Sequence, residues 1–177
     1  MIETERLLLR KPMLDDAEGA YEIISDPEVM RFIGQGRTGD RRVARGAVAR
    51  WIERWDVNGF GHFAVLRKSD ERFVGRVGLL VWDAATWQTS DLQAAAQPVV
   101  ELGWALGRAY WGNGYATEAA LAARAWAAAE HGLRALISII NRENVRSIHV
   151  AERLGAVRET EIEIDNGTAD VWRHPAR

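Results

Sequence analysis

The stretch from Val99 to Ile140 limits the fold more than any other part of the chain. Residues 99–107 read as a strand, 108–114 as a turn holding two glycines, 115–130 as an alanine-rich helix, and 135–140 as a second strand with an unbroken apolar run. A strand with no polar alternation is covered on both faces, as parallel strands are. Strand, helix and strand in that order imply a right-handed crossover between parallel neighbours.

The elements around this unit follow from apolar spacing. Residues 3–11 read as a first strand, followed by Pro12 and an acidic helix start at Asp15 and Asp16. Ala17, Ala20, Tyr21 and Ile24 share one helical face, and Asp26-Pro27 ends the pattern because the residue before proline disfavours the helical region. A second helix, capped by Asp40, carries Ala44, Ala47, Val48, Trp51, Ile52 and Trp55 along one stripe, read as core rather than as a site. After the Asn58-Gly59 break, 60–67 and 72–82 read as an antiparallel hairpin with a polar turn at 68–71, and 83–98 as a long surface loop. Asn144 caps a short helix with Val145, Ile148, Ala151 and Leu154 inward and Gly155 at its end. Strands over 157–164 and 168–174, joined at Asn166-Gly167, complete the order. The sum is an α/β chain with a mixed sheet. No repeat, linker or low-complexity tail is visible, so residues 1–177 are expected to form a single domain.

Composition narrows the chemistry. The chain has 177 residues, enough to bury roughly 70 % of its unfolded surface without staples. Zero cysteines exclude disulfides, cysteine-ligated zinc and an acyl-cysteine intermediate. A net charge of -2 argues against a domain whose main task is neutralising nucleic-acid phosphates. No run reaches the ~20 apolar residues of a membrane span, and residues 1–10 lack the order of a signal peptide, so a cytoplasmic chain is expected. Arg37, Arg41, Arg42, Arg45, Arg50 and Arg54 form a basic run, read as a solvated helix face in preference to a contact with an acidic ligand or partner.

The segment Arg108-Ala109-Tyr110-Trp111-Gly112-Asn113-Gly114-Tyr115-Ala116-Thr117-Glu118 lies between a strand and a helix start. There, free backbone N–H groups and the positive end of the helix dipole can hold an anion, with phosphate the natural guest. A turn that needs glycine for shape alone explains the same residues.

The run from Trp111 resembles the pyrophosphate-binding loop of GNAT acetyltransferases, in which Arg or Gln is followed by two residues, Gly, one residue, and Gly or Ala. Gly114 and Ala116 match, while Trp111 stands where the family usually has Arg or Gln, as in the RimJ/RimL-like branch. Thr4-Glu5-Arg6-Leu7-Leu8-Leu9-Arg10, Asp26-Pro27-Glu28-Val29-Met30, Asn144-Val145-Arg146-Ser147 and Glu152-Arg153-Leu154-Gly155 are similar to other parts of that branch, so the likeness covers nearly the whole chain.

The resemblance implies a GNAT fold: a central twisted mixed sheet splayed between its fourth and fifth strands, with helices on both faces. It further implies acetyl-CoA as cosubstrate and no metal. The cosubstrate would lie on Ala105, Leu106, Trp111, Gly112, Asn113, Gly114, Tyr115, Ala116, Thr117, Asn144 and Ser147, its pantetheine arm pairing with backbone near Ala105 and Leu106. Glu101 stands where many such enzymes place an acidic residue, and a half-buried carboxylate suits the removal of a proton from an ammonium. Glu161 and Glu163 are the reserve bases. The family's thiolate-protonating tyrosine is replaced by Ala151, and Ser147 is the substitute hydroxyl. The expected reaction is direct acetyl transfer to a primary amine, of a protein N-terminus or a small molecule, with α-amino or weakly basic acceptors favoured.

Other readings compete. Gly34-Gln35-Gly36-Arg37-Thr38-Gly39 spells a dinucleotide pattern, but no apolar first strand precedes it and no acidic residue ends the next strand. In a GNAT fold this loop would border the acceptor site. His62, His131, His149 and His174 are too scattered for a metal pair or a triad and are expected at ordinary surface positions, with His149 near the cosubstrate because it shares a helix with Ser147. A non-catalytic acyl-CoA-binding module, docking on an acidic or nucleic-acid partner through the arginine run, is the alternative function. Exposed tryptophan in the 83–98 loop marks a candidate homodimer contact.

Overall fold

The computed structural model describes residues 1–165 and 167–176. The chain runs β1 (Ile2–Glu3), β2 (Leu7–Arg10), α1 (Ala17–Ile24), α2 (Pro27–Met30), α3 (Arg41–Asn58), β3 (His62–Arg67), β4 (Phe73–Asp83), β5 (Gln88–Thr89), β6 (Pro98–Leu106), α4 (Tyr115–His131), β7 (Leu136–Asn141), α5 (Val145–Arg153), β8 (Val157–Ile164) and β9 (Gly167–Arg173). All nine strands join one sheet in the order β1-β2-β3-β4-β6-β7-β9-β8, with β5 against the end of β4.

Several elements differ from the sequence reading for local reasons. The expected first strand is two, because the Thr4 N–H donates to the Leu7 carbonyl, the Leu7 N–H donates to the Thr4 hydroxyl, and the turn they close folds β1 back on β2. Pro27 ends α1 as expected yet also opens α2, where its fixed φ suits the first helical position and the Asp26 side chain accepts from the Glu28 N–H. Val145, expected inward, is 54% exposed, while Ala151 and Leu154 are buried. Asn166 of the proposed last turn lies outside the described residues.

The core has two sides. Leu79, Val81, Leu102, Ala119, Ala123 and Leu136 fill the layer between the sheet and α4, and Ala20, Ala44, Val48 and Trp51 join α1 to α3 on the opposite face. The alanine content of α4 allows its close approach to the middle strands. Among the described residues, no helix is long and apolar enough to cross a membrane.

The parallel pair at the sheet centre is short. β6 and β7 are in register only at Val100↔Leu136 and Glu101↔Ile137, after which they diverge. Ser138, just past the last pair, donates its hydroxyl to the Leu102 carbonyl at 2.6 Å and lies 2.9 Å from His174 Nε2. That proton being committed, His174 Nε2–H must be the donor to Ser138 Oγ. His62 and His174, expected on the surface, are instead 3% exposed each, whereas His131 and His149 are exposed as expected. Burial holds His174 neutral, its pKa lowered to about 4, with Arg124 adding to the shift. The native pKa is below the unfolded value, so the stabilisation is present above pH ~6.5 and is lost as the pH falls toward 4. The urea midpoint should fall across that window by an amount equivalent to on the order of 2 kcal/mol. A His174→Gln variant should show a flatter dependence; an equally steep one would remove His174 from this role.

Candidate active site

Two cavities meet where the sheet opens. One, of about 510 Å³, lies on the α3 face and includes Glu101, Trp82, Arg54 and Arg76 in its wall. The other, of about 350 Å³, lies between the end of β6 and the N-terminal turns of α4 and α5. Trp104, Ala105, Asn144 and Ser147 border both, so the gap between β6 and β7 joins the two faces of the sheet.

In the smaller cavity the loop before α4 is shaped by Gly112 and Gly114, whose φ values of 75° and 78° disfavour a side chain. The first helical bond of α4 runs from the Glu118 N–H to the Gly114 carbonyl, leaving the N–H groups of Tyr115, Ala116 and Thr117 without intrahelical acceptors. Thr117 Oγ1 is buried there without a partner. An orphaned hydroxyl beside open amides at a positive helix end fits the phosphates of a nucleotide.

The loop is braced from the start of the chain. Glu118 accepts from the Thr4 hydroxyl at 2.6 Å, the Arg6 N–H at 2.9 Å and Arg6 Nε at 2.7 Å, while Arg6 Nη1 donates to the Asn113 carbonyl at 2.9 Å. Asn113 itself ties the turn through its amide to the Tyr110 and Trp111 carbonyls and is not in the cavity wall. Trp111 does not reach outward. Its indole N–H donates to the Leu106 carbonyl at 2.8 Å, and its ring lies beneath the Arg146 guanidinium at 4.4 Å. Arg146, His149 and Arg153, all on α5, add positive or protonatable groups to this wall.

The backbone of β6 is used in a definite order. The Leu102 and Leu106 carbonyls are approached from the gap, by Ser138 and Trp111, so by strand alternation the Trp104 N–H and carbonyl also face the gap. Ala105 is in register with Arg76 of β4, and the Leu106 carbonyl is taken by Trp111. The Trp104 main chain and the Leu106 N–H are therefore the groups that the divergence of β7 leaves open, whereas Ala105, also expected to align the cosubstrate, turns its main chain to β4.

Ser147 stands at the junction. Asn144 caps α5 by accepting from the Ser147 N–H, and the Ser147 hydroxyl accepts from the Trp104 indole N–H at 3.2 Å. Its own proton is free to be donated into the cleft. Ala151 is fully buried and offers no hydroxyl.

Glu101 extends from β6 into the larger cavity. It accepts from the Trp82 indole N–H at 2.6 Å and from the Ile139 backbone N–H across the gap. Burial pushes its carboxyl above the ordinary range, against the opposing pull of Trp82, Arg76, Ile139 and Arg54. Beside it Arg76 donates to His62 Nε2 at 2.6 Å, and burial lowers the Arg76 guanidinium to about 10. His62, desolvated and next to Arg76 and Arg54, is held well below its usual pKa and stays neutral, with Nδ1 protonated. The reserve carboxylates lie elsewhere: exposed Glu161 pairs with Arg142, and exposed Glu163 accepts from Thr168, both on β8 outside the two cavities. Gly34, Gln35 and Arg37 of the glycine-patterned loop do border the larger cavity, as do Ala47 and Trp51 of the helix stripe read as core alone. Sequence reasoning missed Arg76, Trp82 and Ser138 as site residues, took His62 for a surface residue, and named Arg54 only within the arginine run. The one signal for Arg76 was its position as the lone charge inside an apolar strand.

The bracing of the loop has a measurable consequence. Glu118→Ala should weaken binding of a diphosphate-containing nucleotide, read by calorimetry, by about 10-fold or more while leaving circular dichroism unchanged. Unaltered affinity would remove the brace from the account.

The chain is similar to known proteins over most of its length. A family model described as an acetyltransferase (GNAT) domain matches residues 6–157. The N-acetyltransferase YnaD of Bacillus subtilis (strain 168) is 25% identical over 158 residues, covering 89% of this chain and 83% of its own. The solved structure of a GNAT-family acetyltransferase from Bacillus anthracis matches with a TM-score of 0.77 at 26% identity, over 98% of this chain and 95% of that one. The ribosomal α-N-protein acetyltransferase RimL, solved with coenzyme A, shares the fold at a TM-score of 0.76 and 13% identity, over 97% of this chain and 95% of its own.

Proposed function

The chain belongs to the acetyltransferase (GNAT) family, and we propose that it moves the acetyl group of acetyl-CoA directly to a primary amine. The observation that carries this reading is the joining of the two cavities at the β6–β7 gap, with Glu101 on one side and Ser147 at the junction. RimL, which shares the fold, is solved with coenzyme A, and this supports acetyl-CoA as the cosubstrate.

The residues divide the work by position. The Gly112–Thr117 main chain and the Thr117 hydroxyl hold the diphosphate, and the Trp104 main chain aligns the pantetheine arm as an added strand would. Glu101 accepts a proton from the incoming ammonium, leaving a lone pair on nitrogen. That nitrogen forms a bond to the acetyl carbon and the carbon–sulfur bond breaks; the nitrogen gives up its second proton, and the departing thiolate, stabilised by the Ser147 hydroxyl, takes up that proton through it and leaves as the thiol. Holding both reactants in one cleft provides much of the acceleration. A carboxyl raised by burial is a better base than a surface glutamate, while the Trp82 and Ile139 N–H groups fix its direction.

Ala151, at the position of the family's usual acid, favours the second reading of a binding module that never turns over. Thiol release on a panel of primary amines separates the two, since a module would bind acetyl-CoA without releasing CoA above background.

Glu101→Gln should lower kcat/KM by about 10²- to 10⁴-fold near neutral pH and abolish the acid limb of the wild-type profile. That limb should lie above the ordinary glutamate value of ~4.3, because burial raises this carboxyl. A variant with the wild-type profile would remove Glu101 from the mechanism. Ser147→Ala should reduce kcat by about 10- to 100-fold with little change in acetyl-CoA affinity; an unchanged kcat would leave Ser147 as a helix-capping partner only.

A further inference from the structure

The larger cavity is electrically unbalanced. Its wall holds the arginines Arg37, Arg50, Arg54 and Arg76 against the carboxylates of Glu101 and Asp165. Arg50 and Arg54 are one turn apart on α3, share the face of Ala47 and Trp51, and line the cavity together with Leu80 and Trp82 of β4. Among the described residues, Arg37, Arg50 and Arg54 form no ion pair or hydrogen bond with any side chain, unlike Arg41 of the same run, which pairs with Glu18. Arg54 is half-buried, and burial lowers its guanidinium despite the attraction of Asp91 and Glu101. Asp91 is engaged by the Asn58 amide at 3.1 Å and does not reach ion-pair distance from Arg54.

A half-buried guanidinium with no ion-pair partner is costly, and Arg54, with the exposed Arg37 and Arg50 lining the same concavity, offers a fork for an oxyanion. We propose that the acceptor is a small amine carrying its own acidic group, a carboxylate or a phosphonate, which Arg50 and Arg54 bind while Glu101 receives the proton of the amine. This inference rests on the acetyl-transfer reading above and specifies its second substrate. The positive field discourages cationic polyamines from entering and favours the neutral form of the amine, whereas the acid group is drawn in. The size of the cavity, about 510 Å³, is that of a small-molecule site. Its rim is built by the α2–α3 loop at Gly34 and Gln35, by β5 and by the β8 end at Ile164 and Asp165. That enclosure favours a free small molecule over a folded protein's terminus.

The test is acetyl transfer from acetyl-CoA, followed by thiol release, to matched acceptor pairs. Glutamate and aspartate are compared with glutaminamide and asparaginamide, 2-aminoethylphosphonate with ethanolamine, and an acidic tripeptide is included. Acetyl-CoA affinity is measured in parallel by calorimetry. The carboxylate or phosphonate member should exceed its neutral partner in kcat/KM by about 10-fold or more, and the pair that does so identifies the acid group. Arg54→Gln should raise KM for that acceptor by about 10- to 100-fold with acetyl-CoA affinity retained, and Arg54→Lys should recover part of the loss. Arg50→Gln, at an exposed position whose loss leaves packing intact, should act in the same direction. Equal rates for neutral partners, turnover confined to neutral or cationic amines or to the tripeptide, no thiol release from any anionic amine, or selectivity that survives both glutamine substitutions would overturn the inference. If acetyl-CoA still binds in those cases, the cosubstrate assignment stands; if the wild-type protein does not bind it, the acetyl-transfer reading fails as well.

Discussion

The separation of two parallel strands governs this molecule. β6 and β7 pair for two residues and then part, and everything at the candidate site is arranged around the resulting opening. A sheet interior left unpaired exposes backbone donors and acceptors that must find partners. Here Ser138 caps the Leu102 carbonyl, Trp111 caps the Leu106 carbonyl, and Trp104 between them keeps its main chain turned to the gap. The side chains around the opening thus satisfy some backbone groups and leave others free for a ligand.

The same divergence separates two kinds of chemistry. On the α4 and α5 side are open helix amides, an unpartnered threonine hydroxyl and a serine whose proton is uncommitted. On the α3 side a carboxylate sits among arginines, its affinity for protons raised by burial and moderated by Trp82 and Arg76. Neutral His62, buried beside Arg76, accepts a hydrogen bond from it. The cavities share Trp104, Ala105, Asn144 and Ser147 at the gap, and Phe32 and Ile33 beside it, which is where the proposed acetyl transfer would bring a thioester and an amine together.

Much of the scaffold was legible in the sequence because it depends on local rules. The apolar run of β7, the alanine face of α4, the glycine turn before it, and the caps at Asp40 and Asn144 each carry their own signal, and Asp40 and Asn144 do accept from Val43 and Ser147 as capping requires. What the sequence hid depends on register between distant strands. Arg76 and His62 come together only because β3 and β4 pair with His62 opposite Gly78, and Ser138 reaches Leu102 only because β6 and β7 stop pairing one residue earlier. The arginine run misled for a related reason. Its charges were read in the first place as one solvated face, which exposed Arg37, Arg41 and Arg50 match, yet Arg54 follows the spacing of Ala47 and Trp51 into the cavity wall and is half-buried there.

The measurement closest to the central claim is a backbone amide NMR titration with acetyl-CoA. The largest shift changes are expected at the Trp104 amide and at those of Gly112 to Thr117, the groups that the strand divergence and the start of α4 leave open. Binding that leaves these amides unmoved and perturbs the Gly34 to Gly39 loop alone would contradict the account.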